Sequence, residues 1–268
     1  MSLSVVIATY NRVALVPRSI RSALDALDGV TSHEVVVVDD ASSDDTVKQL
    51  QEMFAGDISS GRVKVLRNAE NRGVTGSKNE GYSAARCDWV IFLDSDDTIL
   101  PGVGEAVVSA LEENDDKPLV FFRCVDQDGN FVGTSFGKDV SLDLDAYLEH
   151  TSYGEALTAL NKRIVRQVPY VESLRGYEGL GCCRIIAQHG PATLSTMVAR
   201  RYDCSGDDRL SVSDGLFRRM PLIARGHLML VREFGSRMRC SKALGYLLKA
   251  AAYGLIGGAY RLVMGNGK

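Results

Sequence analysis

The chain has 268 residues, 45% of them hydrophobic and 24% charged, enough for a sizeable core and unlike a disordered or low-complexity polymer. The formal net charge is only −3, but residues 1–199 hold 18 Lys/Arg against 29 Asp/Glu, whereas 200–268 hold 13 against 5. An acidic front suits a cation-dependent site and a basic tail suits an anionic surface, and no nucleic-acid partner is expected.

In chain order, residues 3–9 form a β-branched apolar run ending on Thr9-Tyr10-Asn11-Arg12, with a helical pattern to about Leu27. A strand is predicted over 33–40, where four valines run into Asp39-Asp40. Ser42-Ser43-Asp44-Asp45 then offers an N-cap and acidic first turn for a helix over 46–54. Strands at 63–67 and 89–93 flank a helical stretch at 73–86, and the second of them delivers Asp94. Continuous apolar strands alternating with helices imply an α/β fold with a mostly parallel sheet covered on both faces. Further on, a helix is expected over 103–113 and a strand over 119–125, with a hairpin turn at Asp126-Gln127-Asp128-Gly129. Helices follow at 161–167 and 178–189, with His189-Gly190 as a helix end, and 193–202 reads as extended. No internal repeat or clear interdomain linker interrupts the chain.

Ligands in such sheets bind at the carboxyl ends of the strands. Three of those ends carry polar signatures here: Thr9-Tyr10-Asn11-Arg12, Asp39-Asp40 and Asp94-Ser95-Asp96-Asp97. Carboxylates packed that closely repel one another, so a cation is the natural compensation, and their hard oxygens suit Mn2+ or Mg2+. A solvated acidic loop is the bland alternative. A dinucleotide-binding dehydrogenase also places an acid after its second strand, but the glycine-rich turn it needs after the first is missing. The four histidines, at 33, 150, 189 and 227, stand in no metal-ligand spacing. Six cysteines without a CxxC pair read as reduced thiols. The first residues lack the basic region and cleavage site of a signal peptide, and no apolar run reaches the roughly 20 residues of a span. A cytoplasmic protein is expected.

The set Val6 to Arg12, Val38-Asp39-Asp40-Ala41-Ser42-Ser43-Asp44, Asn71-Arg72-Gly73 and Phe92-Leu93-Asp94-Ser95-Asp96-Asp97 resembles the family-2 inverting glycosyltransferases of the GT-A fold. The resemblance covers about the first hundred residues. It implies that Thr9, Tyr10 and Arg12 line a nucleotide pocket and that Asp40 contacts the base with Asp39 beside it. Asn71, Gly73 and Lys78 correspond to the helix start that approaches nucleotide and phosphates. Asp94, with Ser95, corresponds to the ribose side, and Asp96 and Asp97 to the metal ligands. The catalytic base of the family is usually the aspartate of a Glu-Asp pair followed by an arginine. Aligned on Arg184, this chain has Tyr177-Glu178 there, so Glu178 is the candidate base and departs from the pattern; helix-end stabilisation is its alternative role.

The resemblance implies transfer of a sugar from a nucleoside-diphosphate sugar to a saccharide acceptor. A sugar nucleotidyltransferase and a non-catalytic nucleotide-sugar-binding protein are the rival readings. Residues 1–214 are expected to form the catalytic domain, 1–100 facing the donor and 101–214 the acceptor. Residues 215–268, with ten Lys/Arg against the single acid Glu233, form a basic amphipathic helical extension. From 241 onward Leu244, Leu247, Leu248, Ala251, Leu255, Ala259 and Leu262 share one helical face. A stripe of this kind reads as peripheral binding to an anionic membrane at its inner face, and hence a lipid-linked or lipopolysaccharide acceptor, or else as a helix packed on the domain.

Overall fold

The computed structural model describes residues 1–149, 154–203 and 213–264; His150, Cys204 and the last four residues of the tail lie outside them. The chain begins β1 (Leu3–Thr9), α1 (Val16–Ala26), β2 (His33–Asp39), α2 (Thr46–Met53), α3 (Ala55–Ser59), β3 (Val63–Arg67), α4 (Gly73–Ala84) and β4 (Trp89–Asp94). It continues with β5 (Thr98–Ile99), α5 (Gly104–Glu113), β6 (Leu119–Val125), β7 (Val140–Leu142), α6 (Leu144–Glu149) and β8 (Ala156–Asn161). Then come α7 (Glu178–His189), β9 (Ala192–Arg201) and two long helices, α8 (Ser213–Phe234) and α9 (Cys240–Met264).

The strands form one sheet in the order β3-β2-β1-β4-β8-β6-β9-β5, with β7 on β9. The parallel expectation holds for β3, β2, β1 and β4. Beyond β4 the sheet is mixed, because β8 runs antiparallel to both its neighbours and β9 antiparallel to β5 and β7. Period-two alternation sends Val5 and Ile7 of β1 to one face, against Ile20 and Leu24 of α1, and Val6 to the other, with Tyr82 of α4. On that second face α4 lies so close to β1 that a Cβ on Gly81 would come 2.3 Å from Val6 Cγ1.

The first four strands and α7 fall where the sequence placed them, within a residue or so. The helix expected at 161–167 is absent. Asn161 instead ends β8, and its carbonyl takes the N–H groups of Ile164 and Val165 at 3.1 and 2.8 Å, making a single turn. Nor does the turn at Asp126 open a second strand: it closes on one antiparallel bridge, Val125 to Phe131. The short elements α3, β5, β7 and α6 were also not foreseen. Among the described residues no helix is long and apolar enough to cross a membrane.

Candidate active site

The three polar strand ends come together as expected, since β1 lies between β2 and β4. Asn11 and Ala41, directly beyond the ends of β1 and β2, both adopt left-handed backbone, φ 51° and 63°. Their loops are laced: the Asn11 N–H donates to Ser42 Oγ at 2.9 Å, and the Ser43 N–H to Asn11 Oδ1 at 2.8 Å. Tyr10 projects, 45% exposed, at the rim. Asp44 accepts from the N–H groups of Thr46 and Val13, so it steadies α2 from two residues before the first turn, which itself holds no acid.

Asp39 and Asp40 are both buried, yet they are employed differently. Asp40 Oδ1 accepts from the Arg72 N–H and from Asn68 Nδ2, each at 2.8 Å, and Oδ2 from the Gly73 N–H at 2.7 Å. Both oxygens are therefore committed to the start of α4, where Gly73 has φ +76° and a Cβ would lie 3.0 Å from the Arg175 side chain. Asn71 completes this corner, bonding the Asp40 carbonyl at 3.3 Å and taking Arg175 on its own Oδ1. Asp39 Oδ2 receives the Ser42 N–H at 3.0 Å and lies 3.6 Å from Arg67 Nε. Its Oδ1, like Thr9 Oγ1, is buried with no hydrogen-bond partner among the described residues. The open acceptor at this strand end is thus on Asp39, whereas sequence reasoning gave the base contact to Asp40.

At the end of β4, Asp94 meets two cations. Lys78 Nζ of α4 lies 2.8 Å from Asp94 Oδ1 and also donates to Glu178 Oε1 of α7 at 2.8 Å. Arg200 of β9 stands 3.4 Å from Asp94 Oδ2 and 3.1 Å from Asp97 Oδ2. The cations bind from the protein side, since Lys78 and Arg200 are nearly buried while Asp94 and Glu178 are 38% and 34% exposed. Burial alone would discharge Lys78, but the attraction of Asp94 and Glu178 outweighs it and lifts its pKa. For Asp94 burial is likewise outweighed, here by Lys78 and Arg200, which hold its carboxyl below the usual range. Asp96 is raised by burial and by Asp94 against the pull of Arg12, whose guanidinium lies 3.8 Å away. Burial pushes Asp97 up to about 7 despite Arg200.

As a metal centre the acid run divides. Asp97 is 1% exposed, against Arg200 and the Asp203 N–H at 2.8 Å, so it faces the protein rather than the cleft. Among the described residues no three His, Cys, Asp or Glu side chains gather around one point. What remains is hard oxygen on Asp96, with Asp94 beside it. This set fits a cation of the Mg2+ or Mn2+ type, which is held by one or two carboxylates and completed by substrate phosphates and water.

Two contributions went unread in the sequence. Arg200 is one; as the inward member of the Arg200-Arg201 pair that ends β9, it carries no sign in the sequence that tells it from its exposed neighbour. The other comes from α8. Arg219 donates to the Gly176 carbonyl at 3.2 Å and lines a cleft of about 260 Å3 with Arg12, Ser95, Asp96 and Glu178. Tyr177 stacks edge-on against His227, and at Gly226 there is no room for a Cβ beside its ring. Arg184, used to align the base, is not in the cleft: it makes a two-pronged bond to Glu233 of α8 at 2.8 and 2.6 Å. The tail's single acid thus docks α8 onto α7.

Acid-ended parallel strands thus face a glutamate at a helix start, with cations between them. Residues 4–151 match the family model described as glycosyl transferase family 2, and the chain belongs to that family; it is a glycosyltransferase. It is 26% identical over 257 residues to the GalNAc(5)-diNAcBac-PP-undecaprenol beta-1,3-glucosyltransferase of Campylobacter jejuni, covering 94% of this chain and 80% of that one. It is 45% identical over 96 residues to the succinoglycan biosynthesis protein ExoO of Rhizobium meliloti, 36% of this chain but 26% of that protein. The fold matches that of S. aureus TarS residues 1–349 in complex with UDP-GlcNAc at a TM-score of 0.65 and 19% identity, over 85% of this chain and 67% of that one.

Proposed function

We propose that the enzyme transfers a sugar from a nucleoside-diphosphate donor to a hydroxyl of a lipid-linked saccharide in one inverting, cation-dependent step. The observation that carries this reading is Lys78, which holds a donor-side acid and a candidate base by one ammonium, 2.8 Å from each. In it, residues 1–100 face the donor and 101–214 the acceptor.

Thr9, Tyr10 and Arg12 line the nucleotide side. The buried Oδ1 of Asp39 is suited to accept an N–H of the base, while Asp40, Asn71 and Gly73 hold the loop in place. Asp94 and Ser95 border the ribose. Glu178 takes the acceptor proton as its oxygen attacks the anomeric carbon, and the bond to the diphosphate breaks on the opposite face, inverting the centre. Lys78 fixes Glu178 and Asp94 relative to one another and has no charge to spare for the diphosphate. Arg12 and Arg219, in the same cleft, are placed for that charge. Mn2+ or Mg2+, held through Asp96 with Asp94 beside it, would offset the remaining charge of the leaving group. Asp97 steadies Arg200 rather than the cation.

The Campylobacter relative, aligned over 94% of this chain, is named for an undecaprenol-linked acceptor, which supports the same class here. The ExoO match supports a part in polysaccharide assembly. On α9 Tyr246, Ala250 and Tyr253 face inward, whereas Leu244, Leu248, Leu255 and Leu262 stand exposed. With exposed Arg218, Arg225 and Arg232 on one side of α8, this supports attachment to the inner, anionic face of the cytoplasmic membrane.

Release of free nucleoside diphosphate from a panel of donors, with Mn2+ and lipid-linked acceptors, tests the reading. One donor should be consumed with acceptor present, and Asp96→Ala or a chelator should stop it. Full turnover in chelator removes the cation; formation of a sugar nucleotide from a nucleoside triphosphate would replace the whole assignment.

A further inference from the structure

A second cavity, of about 350 Å3, lies between the sheet and the helices that cover it. Its lining shares Asp94 and Glu178 with the donor cleft, and Lys78, Arg200 and Glu155 complete its charged part. The remainder is of another character. Phe92, Phe121 and Leu194 form a floor from three strands, and Thr158 of β8 lies among them. Leu148 of α6 and Cys182 of α7 add a wall, and Leu230 of α8 and Tyr246 of α9 a roof. All of these apart from Thr158 and Tyr246 are buried.

Packed interiors leave few voids larger than a water molecule, whereas binding pockets begin at roughly 300 Å3. A space of this size, charged at the end it shares with a candidate base and apolar over the strands and helices beyond, is a place for a ligand. The donor does not suit it. The cleft carrying Arg12, Asp96 and Arg219 has the charge that a diphosphate needs, whereas the two cations of this cavity, Lys78 and Arg200, are already paired with acids. Because Asp94 and Glu178 belong to both linings, molecules bound in the two spaces meet at those residues.

We propose that the cavity binds the acceptor and that the acceptor is amphipathic: its reacting hydroxyl sits at Glu178, and an apolar chain attached to the same sugar enters between the sheet and the α8–α9 pair. The role of Glu178 rests on the transferase reading; the binding itself does not. Tyr170 and Tyr177, which also line the cavity, can stack on the sugar face, and the hydrophobic remainder excludes water from the chain.

The probes are n-octyl β-D-glucoside, kept below its micelle concentration, and methyl β-D-glucoside, titrated calorimetrically into the full chain. The octyl glycoside should bind at least about tenfold more tightly, as burial of several methylenes requires. Thr158→Phe, and Ala156→Phe as a second filler, should weaken octyl binding at least about tenfold while melting cooperatively. Leu255→Glu, on the outer face of α9, should leave it unchanged. Equal affinity for the two glycosides overturns the proposal. So does octyl binding that survives both folded fillers, or that disappears in Leu255→Glu, since the chain then lies on the outside of α9. Nucleoside diphosphates are titrated in parallel: if none binds while the cavity responds as expected, the transferase reading fails and the amphiphile site stands.

Discussion

The cleft has an acidic wall and a basic one, and the two are built by different means. The acidic wall stands on strand ends: β1, β2 and β4 are adjacent and parallel, so their carboxyl-terminal residues emerge together, and every acid there is fixed by backbone geometry. The basic wall takes only Arg12 from a strand end and is otherwise assembled from distant segments, Lys78 of α4, Arg200 of β9 and Arg219 of α8. A site whose acids gather mostly at strand ends, with Glu178 brought in from α7, and whose cations come mostly from afar can exist only in the folded chain. Removing a cation should therefore disturb more than its own contact.

The largest such effect is expected at Lys78. Lys78→Met leaves Asp94 and Glu178 facing each other without the ammonium, and turnover should fall at least about a hundredfold. Stability should fall by about 2 kcal/mol, below the range for a fully buried pair, because both carboxylates reach water. Steady-state kinetics and thermal melting read the two effects. A Lys78→Met enzyme that is stable and active would mean the bridge is a resting contact only.

Arg219 sharpens the comparison, because it tests whether the tail belongs to the cleft. Arg219→Ala should lower turnover by about ten- to a hundredfold, with partial recovery in Arg219→Lys, since a charge near the leaving diphosphate is worth a few kcal/mol. A change confined to melting temperature would reduce Arg219 to a docking residue for Gly176.

A smaller effect is expected on the outer face of α9. Leu255→Glu should weaken co-sedimentation with anionic vesicles severalfold without altering donor consumption, and salt should weaken the wild type similarly. Equal partitioning of variant and wild type, or none by either, would separate the apolar face from any membrane role.

The same division governs what could be read from the sequence. Val35 to Val38 running into Asp39-Asp40, and Phe92-Leu93 into Asp94, announce buried strands and their polar ends, because apolar runs and clustered acids are local signals. Which acid is free is not local. Asp40 and Asp39 are neighbours, and only the fold decides that the N-terminus of α4 consumes the first and leaves an oxygen of the second open. The sequence marks Lys78 only as a phosphate contact, since nothing in it brings Glu178 to that lysine across a hundred residues. Arg219 was counted with the tail's basic residues because membrane-facing and cleft-facing arginines look alike until α8 is docked. β8 was missed because Ala156 to Asn161 alternates weakly, and the turn after it imitates a helix start.

In the proposed mechanism Glu178 is the base and Lys78 sets it against the donor side. The direct measurement is turnover and donor affinity of Glu178→Gln, which keeps the shape and a hydrogen-bonding oxygen but cannot take a proton. Donor binding should stay close to wild type and turnover should fall by at least about a hundredfold. Turnover reduced only a few-fold would contradict that mechanism and leave Glu178 as the first residue of a helix, held there by Lys78.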